Sequence, residues 1–125
     1  MKTLLRSAVA LALVALCAAA PASAQGVPEG ATKDMVAKGN EIFHKAGLCY
    51  ACHGQDAKGL VGPNLTDDVW IHSKGSFPEL IAQITKGVTK EESKSGVPMP
   101  AKGGSTITDD DVKAVAAYVW SLSHK

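Results

Sequence analysis

Apolar positions along the chain fall into separated blocks, and the spacing within each block predicts a different element. Ala8 to Ala20 is an unbroken apolar run of 13 residues, preceded by Lys2 and Arg6 and followed by Pro21 and Ala22-Ser23-Ala24. A cationic start, a short apolar stretch and an A-x-A end predict a cleavable export signal over residues 1–24, leaving a mature domain over 25–125. The run is too short to cross a bilayer as a helix and no later stretch replaces it, so no membrane span is expected in the mature chain. Lys33 to Lys45 has helical spacing, with Thr32 as N-cap, Gly47 beyond its end, and Val36, Gly39 and Phe43 on the inner face. Gly39 in a helix interior costs about 1 kcal/mol relative to alanine, which implies a close contact there. Ser76-Phe77-Pro78-Glu79 is a capping box that opens a second helix through Leu80, Ile81 and Ile84, stopped by Gly87. A last helix starts at Thr108, with Asp109, Asp110 and Asp111 at its positive end, and runs through Val112, Val115, Tyr118, Val119 and Leu122.

Between these blocks the pattern is broken. Residues 54–75 are glycine-rich, with at most one helical turn near Thr66 to Trp70, and Gln25 to Ala31 reads as an N-terminal arm. Lys90 to Lys94 reads as a solvated charged segment, and the prolines and paired glycines of 96–104 exclude regular structure there. No strand pattern is present. The expected architecture is all-α, with three to four helices and long loops.

Composition adds a constraint. Loss of Lys2 and Arg6 would leave 11 of the 13 basic residues, all lysines, against 12 acids, a net charge of −1. Nucleic-acid binding through a basic surface is disfavoured by that balance. Cys17 lies within the leader, behind Leu16 where a lipidation signal wants a small residue, so the mature chain keeps only Cys49 and Cys52. About 100 residues with 5% aromatic content form a limited core, and such domains are commonly completed by a cofactor or cross-link.

The segment Cys49-Tyr50-Ala51-Cys52-His53 carries the chemistry. Two thiols three residues apart can each add across a haem vinyl group, and the adjacent histidine then reaches the iron. A thioredoxin-like dithiol needs a βαβ context that the pattern lacks, and a zinc site needs a second ligand pair after the cysteines are exhausted. A structural disulfide remains compatible with export. With haem, a second axial ligand is expected. Met99, bracketed by Pro98 and Pro100, is the first candidate; His72 competes, then His44, whereas Met35 reads as packing and His124 as a solvated tail residue.

Cys49 to His53, Gly62-Pro63-Asn64-Leu65 and Met99-Pro100-Ala101, followed by a terminal helix containing Val115-Ala116-Ala117-Tyr118-Val119, together resemble a class I monohaem cytochrome c over nearly all of the mature chain. Pro63 to Asp68 with Trp70 is similar to the haem domains in the cytochrome-c subunit of haem–copper terminal oxidases. The resemblance implies one covalently bound haem c on Cys49 and Cys52, with His53 and Met99 as axial iron ligands. It further implies a Pro63 carbonyl bonded to the His53 ring and Leu65 packed on the haem. Gly39 and Phe43 would meet Val115 and Tyr118 where the terminal helices cross. Lys90 to Gly96 is longer and more polar than in many compact members.

The function expected from this reading is one-electron transfer by an exported, periplasmic, monomeric carrier, without catalysis of its own. Its partners would be redox proteins such as an oxidase, a reductase or a periplasmic dehydrogenase, docked at a haem edge near Lys45, Lys58 and Lys102 or through an apolar patch. The alternative is a peroxidase-like or ligand-sensing haem protein with an open or displaceable sixth position.

Overall fold

Thr32 starts the first helix as its spacing predicts: its Oγ1 accepts from the Met35 N–H at 3.1 Å, and α1 runs over Lys33–His44. The computed structural model describes residues 26–125, so the leader read at 1–24 lies outside the described residues. Three further helices follow, α2 over Tyr50–His53, α3 over Phe77–Lys86 and α4 over Asp109–Ser123, with a 3-10 turn at Ala101–Gly104. Among the described residues there is no strand, only one antiparallel bridge between Val88 and Met99. The all-α architecture is the one the apolar spacing implies.

The core forms where α1 and α4 cross. A Cβ at Gly39 would run into the Ala114 carbonyl and the Tyr118 Cβ, so glycine is what lets the two backbones touch. One turn on, the Phe43 ring meets Tyr118 edge-on at 5.5 Å, and Phe43, Val112 and Val115 are fully buried. Each such side chain contributes about 1.5–3 kcal/mol relative to exposure. The buried face of α1 is Gly39, Ile42 and Phe43; Val36, expected on that face, is only half-buried because it lies one turn before the crossing. Lys38 Nζ reaches Asp111 Oδ1 at 2.7 Å across the same junction.

The predicted capping box at Ser76 forms, and a second, not read from the sequence, forms at Thr108. Asp111 Oδ2 accepts from the Thr108 N–H at 3.1 Å while Thr108 Oγ1 accepts from the Asp111 N–H at 3.2 Å. Glu79 Oε2 accepts from the Ser76 N–H and hydroxyl at 3.2 and 2.7 Å, which fixes the start of α3. Leu80 and Ile84 turn α3 toward the core that it shares with α4.

Two loop expectations need correction. Thr66 to Trp70 makes no helical turn: Asn64 Oδ1 accepts from the Thr66 N–H and hydroxyl at 2.8 and 2.7 Å, and Asp67 Oδ1 accepts from the Val69 N–H at 3.0 Å. Local side-chain acceptors of this kind compete with helical bonding. The 96–104 segment, expected to lack regular structure, contains the 3-10 turn, accommodated by positive φ at Lys102 and Gly103.

Candidate haem site

A turn of helix carries both thiols and the histidine. The chain leaves α1 through Gly47, whose N–H donates to the Ile42 carbonyl at 2.8 Å, passes Leu48 at φ 56°, and enters α2. His53 N–H donates to the Cys49 carbonyl at 2.9 Å, closing the turn. The following loop folds back on it: Gly59 N–H donates to the His53 carbonyl at 2.7 Å and Gly62 N–H to the Cys52 carbonyl at 2.9 Å. The helix-end carbonyls are therefore satisfied by the segment that brings Pro63 under the histidine.

His53 is 8% exposed, and its Nδ1 donates to the Pro63 carbonyl at 2.9 Å, the contact implied by the family resemblance. A carbonyl only accepts, so Nδ1 carries the ring proton and Nε2 keeps its lone pair. Burial lowers the His53 pKa, partly opposed by the Pro63 bond, so the ring is favoured in the neutral form that a metal ligand requires. A Cβ at Gly62 would lie 3.0 Å from the ring's Cε1 and Nδ1, which explains glycine before Pro63.

Cys49 and Cys52 are free thiols. Burial pushes the Cys49 thiol up to about 11, and its Sγ donates to the Gly47 carbonyl at 3.5 Å. Cys49, Cys52 and His53 line one cavity of about 430 Å³, and so does Met99 from a segment more than forty positions away in sequence. That volume lies within the range of organic cofactor pockets. Leu65, Phe43, Val115 and Val119 make its wall apolar, and among the described residues no Lys, Arg, Asp or Glu lines it. Two unpaired thiols, a neutral imidazole with a free Nε2, a thioether and an apolar wall match the donor set of a covalently attached haem.

The Met99 loop is fixed by backbone. Val88 N–H donates to the Met99 carbonyl at 2.8 Å and Met99 N–H to the Val88 carbonyl at 2.9 Å, tying the loop to the end of α3. A side chain on Gly87 would collide with Met99 and Pro100, so this bridge depends on glycine with φ 76°.

Of the competing histidines, His72 lines the cavity and His44 does not. The His44 ring sits between the Asn40 and Gln55 carbonyls at 2.8 and 2.7 Å, tying α1 to the loop after His53. His124 stacks on Trp120 with centroids 3.7 Å apart. Sequence reasoning missed that Ser93, Ser95 and Val97 line the cavity, so the segment read as a solvated charged stretch contributes to its wall through Ser93. It also missed the support of Trp70, whose indole occupies the space above Gly75 where a Cβ would overlap it. The Gly75-Ser76 start of α3 was the available signal.

Residues 34–119 match the family model described as cytochrome C oxidase, cbb3-type, subunit III. The chain is 40% identical over 89 residues to the cbb3-type cytochrome c oxidase subunit CcoP of Rubrivivax gelatinosus, covering 70% of this chain and 26% of that protein. It is 40% identical over 103 residues to subunit FixP of Bradyrhizobium sp. strain ORS 278, covering 80% and 31%. The chain thus spans between a quarter and a third of the length of these relatives. Among solved structures, cytochrome CL of the methylotroph Methylophaga aminisulfidivorans superposes with a TM-score of 0.54 at 26% identity, covering 70% of this chain and 52% of that one. With the family match extending from the first helix into the last, across the thiol pair, the buried histidine and the methionine loop, the chain belongs to the cbb3-type subunit III cytochrome c family and is a small all-α domain for one covalently bound haem c.

Proposed function

We propose that this chain carries one electron at a time between larger redox complexes, with Cys49 and Cys52 as the thioether anchors and His53 and Met99 as the axial iron ligands. The carrying observation is the convergence of these four side chains on one apolar cavity, with the His53 proton held on Nδ1 by Pro63. Haem c supplies the reversible one-electron couple. The protein's own residues do the rest. Pro63 orients His53 and leaves Nε2 as the donor. The backbone bridge to Val88 keeps Met99 at the cavity, and Leu65 with Phe43 excludes water and favours the less charged, reduced state. His53 and Met99 would together hold the iron and leave no open position for substrate, which is why a carrier is the reading we favour over a haem enzyme.

The relatives' names, subunits of a cbb3-type cytochrome c oxidase, support a terminal oxidase as one partner. Among the described residues no helix is long and apolar enough to cross a membrane. A monomeric, exported, periplasmic domain is the arrangement that fits this reading and the export signal expected over residues 1–24. The test is Met99→His. A thioether favours ferrous iron more than imidazole does, so the variant should stay low-spin, lose the far-red ferric charge-transfer band and show a lower midpoint potential. An unchanged potential and an unchanged band would place the sixth ligand elsewhere, with His72 the next to replace.

A further inference from the structure

Val88 and Met99 exchange two backbone hydrogen bonds, so residues 89–98 form a loop closed at its base. Ser93, Ser95, Val97 and Pro98 of this loop line the haem cavity. The chain therefore reaches Met99 along the cavity wall, and the course of the loop governs how the methionine arrives. Thr89, Lys90, Glu91, Glu92 and Lys94 are exposed, so apolar burial does not hold the outer half in shape.

One carboxylate does. Glu92 Oε2 accepts from the Thr89 N–H and from the Thr89 hydroxyl, each at 3.3 Å, while Thr89 Oγ1 accepts from the Glu92 N–H at 3.2 Å. This is a capping box, yet the helix it would open stops after a single turn, closed by the Ser93 N–H donating to the Thr89 carbonyl at 2.9 Å. One turn is too short to persist on its own backbone bond, so the cap is what keeps it wound. The turn brings Ser93 to the cavity, where its hydroxyl donates to the Val97 carbonyl at 2.7 Å and, with its proton used, accepts from the Ser95 hydroxyl at 3.1 Å. Pro98 and Met99 follow directly. Lys86 Nζ also lies 3.1 Å from Glu92 Oε1, but both partners are exposed, and such pairs contribute little.

We propose that Glu92 is a positioning residue for Met99. Through the hydrogen bonds it exchanges with Thr89, and not through its ion pair, it holds the loop that delivers the thioether to the cavity. Its loss lets Met99 leave more often. This rests on the carrier reading, in which Met99 is an axial ligand, and adds what keeps that ligand in place.

The probe is imidazole, titrated into the ferric holoprotein at fixed pH and followed by loss of the far-red charge-transfer band. An added ligand binds only molecules in which Met99 has left, so its apparent affinity reports that fraction. Glu92→Ala should raise the affinity about fivefold, the effect of losing an ordinary helix cap. Glu92→Gln keeps an amide oxygen for the Thr89 N–H and should stay within about twofold of wild type, as should Lys86→Ala, which removes only an exposed pair. Glu91→Ala deletes the exposed neighbouring carboxylate and should match wild type. Circular dichroism should show unchanged helix content in every variant. Glu92→Ala binding imidazole no more tightly than wild type, Lys86→Ala or Glu91→Ala would overturn the proposal. So would Glu92→Gln behaving like Glu92→Ala, or a loss of helix in Glu92→Ala. Wild type without a far-red band that imidazole removes would instead overturn Met99 ligation, the reading beneath it.

Discussion

Replacing Gly39 with alanine sets two effects of opposite sign against each other. In an open helix position the change stabilises by about 1 kcal/mol, because glycine has more backbone freedom to lose. At Gly39 the new methyl would collide with the Ala114 carbonyl and the Tyr118 Cβ. The first of these is α4 backbone, which no rotamer change can move. Relief requires the helices to part by a fraction of an ångström to about 1 Å, and such a gap forfeits a quarter to a half of the dispersion energy at each contact it opens. Overpacking costs about 1–3 kcal/mol, and a backbone clash belongs at the upper end. After subtracting the propensity gain, Gly39→Ala should lose about 2 kcal/mol, or roughly 8–16 °C of melting temperature in a domain near 100 residues. The control is Ala37→Gly, an exposed position in the same helix, which should lose only about 1 kcal/mol. Urea and thermal unfolding of the ferric holoproteins, followed by circular dichroism at matched pH, measure both. A Gly39→Ala variant more stable than wild type would refute the close crossing of α1 and α4.

Three further outcomes follow from the structure. Cys49→Ala/Cys52→Ala should be largely unfolded by circular dichroism, because the cavity then loses its covalent occupant; a cooperative apo-protein of near-native stability would contradict this. The hydrogen bond to Lys38, followed by those to Thr108, lowers the Asp111 pKa from 3.8 to about 2, so its stabilisation is present above about pH 4 and lost as pH falls toward 2. Asp111→Asn should therefore melt below wild type at pH 7, and the two melting temperatures should converge between pH 4 and 2; a constant gap would remove the ion pair from the account. Pro63 acts through its carbonyl, so Pro63→Ala should leave the haem low-spin with only a small shift in midpoint potential, whereas a high-spin product would mean that the ring itself positions His53.

The helices were legible because their signals are local. Thr108 with Asp111 and Ser76 with Glu79 specify helix starts within four residues, and the structure makes those bonds. The thiol pair and His53 were legible for the same reason, since one helical turn defines their spacing. The non-helical course of Thr66 to Trp70 was decided by Asn64 and Asp67, whose side chains can cap a turn or serve as acceptors in a bend. Apolar spacing does not distinguish those uses.

The harder part of the site depends on pairing between distant segments. Met99 could be named from its flanking prolines, but nothing near it in sequence says that Val88 holds its backbone from both sides. That pairing requires Gly87 to have no side chain, and Gly87 had a sufficient local explanation as the stop of α3. One glycine therefore serves two purposes, ending a helix and admitting the methionine loop, and only the first has a local signature. The same holds at Gly62, which reads as a loop residue and in the structure makes room for the His53 ring. The residues that shape this cavity without donating an atom to the haem were the ones a chain pattern could not assign. Their lack of a side chain is recognised only against the partner that fills the space. Substituting Gly87 should accordingly disturb Met99 before it disturbs α3, because the helix can end on another residue and the bridge cannot form around a Cβ.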